Sequence, residues 1–268
     1  MRKLKMILAS TTMFVSLSMQ AYGQVIESKY FELDLSQWEL VDSTRVLYTP
    51  TEFLSEADTY FENIVEYLGS SYINKPLKKI VIRIVPGGLG ASGNFRNSIY
   101  IGVDLLNEGY SIIPHELTHA LIYYDSIPSY GEGLACSIQD MFVIPEKQLW
   151  YQRGSIHGIV RVIWEHSFDL SRLQLVVDGY QDSMWSFFES QSLVQYLIDR
   201  FGIYLVLKYC DGAGYKTHYD VFGVAKEEIM SDWIEFVKKS EMEVEWMERW
   251  DSFNSYFSKA NKKYYLAP

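Results

Sequence analysis

The chain of 268 residues is 48% hydrophobic, 16% aromatic and 22% charged, a globular composition with ample material for a core, which excludes disorder and low complexity. Its 24 Lys and Arg against 34 Asp and Glu leave a net charge of −10, and that acidity argues against a nucleic-acid partner, whose phosphates it would repel. No run reaches the ~18 uninterrupted apolar residues expected of a membrane span.

The N-terminus reads as an address. Basic residues Arg2, Lys3 and Lys5 precede a short apolar run from Met6 to Met19, and small residues at Ala21 and Gly23 bracket Tyr22, the pattern of a signal peptide over residues 1–23 with Gln24 as the mature N-terminus. The rival reading is an uncleaved amphipathic anchor. Cleavage implies an exported protein, periplasmic or secreted, with one domain over residues 24–268 and no stable membrane insertion. Loss of the three cations takes the net charge to −13. Export permits a disulfide between the two cysteines, Cys136 and Cys210, while each also lies in an apolar segment where a thiol packs as a small hydrophobe.

Along the mature chain, the alternation of Phe31, Leu33 and Leu35 predicts a strand over residues 31–41. A helix over residues 55–68 follows, with Ala57, Phe61, Ile64, Val65 and Leu68 on one face and Gly69 at its end. The β-branched run from Leu77 to Val85 and the alternation of Ile99, Ile101 and Val103 predict two more strands, and the second is read as an edge available to an extended substrate. Gly87-Gly88-Leu89-Gly90 between them reads as a turn, because the helix of a phosphate loop is missing. Beyond residue 104 the signals are helical, with segments at 189–200, 204–209, 227–239 and 241–260. Strands and one helix first, then helices, predict an α+β fold with a small N-terminal mixed sheet beside a mainly helical C-terminal lobe. The Trp and Phe residues of the last segment read as core.

The segment Pro114-His115-Glu116-Leu117-Thr118-His119-Ala120-Leu121 carries an H-E-x-x-H pattern. On a helix, four residues advance roughly 400°, so His115 and His119 share a face and can hold one cation, with Glu116 between them as a base. A catalytic zinc needs a third protein ligand and an open position, and Glu132, at the start of the next helical segment, is the candidate carboxylate.

Together with Ile127-Pro128 and Glu132-Gly133-Leu134-Ala135, this motif resembles the gluzincin metallopeptidases, specifically exported peptidase MA-like proteins. Looser similarity runs through Glu66 to Gly69, Ser190 to Gly202, Phe222-Gly223 and Trp233. The resemblance implies a zincin-like fold with an active-site cleft between sheet and helical lobe. It further implies zinc held by His115, His119 and Glu132, Glu116 as general base, and a peptide or protein substrate. A metzincin would carry Gly and His three and six residues after His119, where this chain has Ile122 and Asp125. The signature that holds a substrate amine before His115 is not visible, which favours an endopeptidase over an aminopeptidase. Where the family often places a Tyr, three residues before Ser190, this chain has Phe187. That substitution motivates an alternative: a binding module at the cell surface or in the periplasm that keeps the zincin fold without turnover. His157, His166 and His218 lie outside the motif and read as structural histidines with a possible oxyanion-stabilising role.

Overall fold

The alternation that begins at Phe31 forms a strand, but only as far as Asp34. The structure is a computed structural model that describes residues 25–45, 49–71, 73, 78–87, 90–92, 97–122, 127–149, 152–181, 183–211 and 216–264. The signal-peptide reading lies outside the described residues, as do Gly88 and Leu89 of the Gly-rich turn. Helices dominate and a small mixed sheet forms from the N-terminal half, which is the α+β class expected. The chain divides into two compact units, residues 1–62 with 76–120 and residues 63–75 with 121–268.

In the first unit, strands β1 (Val25–Glu27), β2 (Phe31–Asp34), β3 (Ile80–Val85), β4 (Gly90–Ser92) and β5 (Ser98–Gly102) form one sheet in the order β1-β2-β3-β5-β4. The pairs β2–β3 and β3–β5 are parallel, and the two outer pairs are antiparallel. Parallel neighbours need a long crossover, and helix α1 (Pro50–Leu68) lies in the connection from β2 to β3. The register aligns Leu33 with Ile82 and Ile82 with Ile99, so across β2, β3 and β5 one face of the sheet is a buried apolar row. Phe61 of α1 stacks on Tyr30, with ring centroids 4.0 Å apart, and meets Phe31 edge-on. Asp58 accepts hydrogen bonds from the Ser28 hydroxyl and the Tyr30 amide.

Local polar chemistry moves two predicted boundaries. The Asp34 carboxylate accepts from the Ser36 amide and caps a 3-10 turn over Leu35–Leu40, which ends β2 early. Thr49 and Glu52 bond reciprocally, side chain to amide, so α1 starts at Pro50 rather than Ser55. The edge-strand reading of residues 98–103 is overturned: β5 pairs with β3 on one side and with β4 on the other, so its backbone groups are taken. Two short helices follow, α2 (Val103–Asn107) and α3 (Ile113–Leu121).

The second unit is helical: α4 (Pro128–Phe142), α5 (Ile156–Ser167), α6 (Leu170–Val177), α7 (Met184–Phe201), α8 (Ile203–Asp211), α9 (His218–Phe222), α10 (Lys226–Lys239), α11 (Val244–Glu248) and α12 (Trp250–Tyr264). Helix α7 is its axis and packs against α4, α5, α6, α8 and α12. It begins earlier than residue 189 because Ser183 and Ser186 form a capping box, and it ends where Gly202 takes φ +84°, a conformation that glycine adopts without strain. Helices α4 and α7 approach closely: a Cβ on Gly133 would lie 2.4 Å from the Ser190 carbonyl oxygen. The expected last helix is two, broken at Arg249, and Trp246, Phe253 and Phe257 are core as expected. Cys136 and Cys210 are both buried thiols, the second of the two arrangements their setting allowed.

Candidate metal centre

Helix α3 is built to present one polar stripe. Pro114 takes the second helical position, where its missing amide hydrogen costs nothing. Leu117, Ala120 and Leu121 are buried and fix the helix by its apolar side. The Thr118 hydroxyl turns back to the Pro114 carbonyl at 2.7 Å. His115 and His119 are left half-buried on a common face. Their Nε2 atoms are 3.2 Å apart and their rings are inclined at 73°. Glu116, one position on from His115, is 5% exposed.

Glu132 lies in the second turn of α4 and is half-buried. The preceding turn is tied down by bonds to residues 176–179 and to His218. The Ser129 amide donates to the Gly179 carbonyl at 3.1 Å, and its hydroxyl donates to the Val176 carbonyl at 2.8 Å. The Tyr130 hydroxyl lies 2.8 Å from His218 Nε2 and 3.4 Å from the Val177 carbonyl. One ligand atom from each of His115, His119 and Glu132 lies within 4.8 Å of the others, and among the described residues no other such group of His, Cys, Asp and Glu forms.

The donor set fits a divalent cation. Bonds of ~2.0–2.1 Å from two imidazole nitrogens to one tetrahedral ion put those nitrogens about 3.3 Å apart, and the pair here stands at 3.2 Å. Two imidazole nitrogens and one carboxylate oxygen would leave a fourth position on a tetrahedral ion for water or substrate.

The three other histidines have separate settings. Burial pushes both His157 and His218 down to about 4, with Lys226 adding to the effect at His218. His157 Nδ1 is 3.0 Å from the Ser192 hydroxyl, and the exposed His166 stacks on Trp250 at 4.3 Å. Phe187 sits half-buried on α7 with its ring against Phe188. The Tyr130–His218 pair was not foreseen: the two residues are 88 positions apart, and no local pattern links them. No helix among the described residues is long and apolar enough to cross a membrane. Compared with protein-family models the chain matches none, and no curated protein matches it either.

Proposed function

We propose that the chain is an exported zinc-dependent endopeptidase of the gluzincin kind, with a zincin-like fold. The observation that carries this reading is the gathering of His115, His119 and Glu132 ligand atoms within 4.8 Å, with Glu116 buried on the same helix as the two histidines. His115 and His119 would hold zinc as neutral imidazoles, and Glu132 would add one negative charge. Bound there, zinc supplies a Lewis acid that acidifies water and polarises a carbonyl. Glu116 takes the proton of the attacking water on its carboxylate and delivers it to the nitrogen of the leaving amine. The substrate is a peptide or protein segment.

The test is metal content measured together with cleavage of a peptide mixture. The purified protein is expected to retain about one zinc per chain, and His119→Ala to lose it, because a catalytic site has only three protein ligands. Glu116→Gln preserves shape but cannot accept a proton, so it is expected to keep zinc while cleavage falls by ~10²–10⁴. Stoichiometric metal retained after substitution of both histidines overturns the assignment. Phe187 favours a second reading, a zincin-like binding module without turnover, because a phenyl ring has no proton to offer a developing oxyanion. Peptide binding without cleavage by both the wild type and Glu116→Gln decides for that reading.

A further inference from the structure

Tyr130 is fully buried two residues before Glu132. Two residues along an α-helix turn it by ~200°, so the two side chains leave α4 in nearly opposite directions. Whatever holds Tyr130 therefore sets the rotation at which Glu132 faces away. Three features hold it. Its hydroxyl lies 2.8 Å from His218 Nε2. Its ring packs against Tyr209, with centroids 5.1 Å apart. The neighbouring Ser129 makes two further bonds, to Val176 at the end of α6 and to Gly179 in the turn after it.

His218 is itself immobilised. Its ring lies 4.5 Å from that of Tyr209, and Thr217 just before it forms a capping box with Asp220 that starts α9. Burial holds the imidazole neutral, so Nε2 can accept while the tyrosine hydroxyl donates. The Val177 carbonyl, at 3.4 Å, is the weaker of the two partners of that hydroxyl.

We propose that Tyr130 and His218 are positioning residues for the metal centre: their buried hydrogen bond fixes the rotation of the first turn of α4 and so sets where Glu132 presents its carboxylate. This rests on the reading of Glu132 as a metal ligand. Neither residue touches substrate, and both act through the helix.

The test uses the full chain in four forms: wild type, Tyr130→Phe, His218→Phe and His218→Gln. Zinc affinity is measured by competition with a chelating dye. The visible absorption of the cobalt-substituted protein reports the ligand field, and far-ultraviolet circular dichroism reports the fold. Tyr130→Phe, which removes a single hydroxyl and keeps the ring, and His218→Phe are expected to weaken zinc binding about tenfold, the low end for loss of an outer-shell partner, and to shift the cobalt bands. His218→Gln offers an amide oxygen to the same hydroxyl and is expected to recover most of the affinity. A wild type that binds zinc, with folded Tyr130→Phe binding it equally tightly and with unchanged cobalt bands, overturns the positioning role and leaves the metal reading standing. A wild type that retains no zinc overturns the metal reading, and this inference with it.

Discussion

Among single residues, Glu189 is the most demanding. It is 0% exposed, and its carboxylate receives the Arg172 guanidinium through two bonds of 2.8 and 2.7 Å and the Trp164 indole at 2.9 Å. Arg172 also donates to the Ser167 carbonyl at 2.8 Å. A buried pair stabilises little over an apolar pair of the same shape, yet removing one partner strands a charge in a dry interior. Arg172→Met is therefore expected to lower unfolding free energy by ~3–5 kcal/mol, and the double variant with Glu189→Met to recover most of it, as measured by urea unfolding. An exposed pair such as Lys29 and Glu62 meets at a similar 2.7 Å but contributes little to stability, because water screens it. Distance does not separate the two cases; burial does. In the sequence, Glu189 is legible only as a position near the start of a helix, since its partners come from α5 and α6.

At the scale of elements, helix α4 owes its place to Gly133. In an open helix, Gly→Ala stabilises by up to ~1 kcal/mol through backbone entropy. Here the added methyl would meet the Ser190 carbonyl carbon at 2.7 Å and Val194 Cγ2 at 2.7 Å, with the Ser190 oxygen closer still. Overpacking of that kind costs ~1–3 kcal/mol, because helix backbones cannot shift cheaply in a close-packed interior. Gly133→Ala is thus expected to lower the melting temperature, and a rise would show that α4 and α7 lie further apart. The sign decides it. Periodicity made β2, α1, β3, β5, α7 and α10 readable but not β1, β4, α5 or α6, and starts were set by side chains that bond their own backbone, as at Asp34, Thr49 and Ser183. Strand order was not readable at all: β5 carries the alternation of any half-buried strand, and only pairing with both β3 and β4 makes it interior.

For the whole molecule, the two buried histidines set a pH limit. An unfolded imidazole takes a proton near 6.5, while burial holds His157 and His218 to about 4 in the folded chain. Between those values the unfolded state binds more protons, so stability is full above about pH 6.5 and falls as pH drops toward about 4. Melting of chelator-treated protein is expected to decline from pH 7 to pH 5, and His157→Gln to decline less steeply; equal slopes would remove His157 from the account. Sequence alone determined what short range dictates. The α+β class follows from the order of periodicities, and the common face of His115 and His119 follows from helical pitch, since four residues span little more than one turn. Only tertiary structure decided that the ligand atom of Glu132 lies within 4.8 Å of those histidines, that Tyr130 meets His218 across 88 positions, and that Arg172 reaches Glu189. Those meetings depend on which buried surfaces fit together, and packing between distant segments leaves no periodic mark on either one.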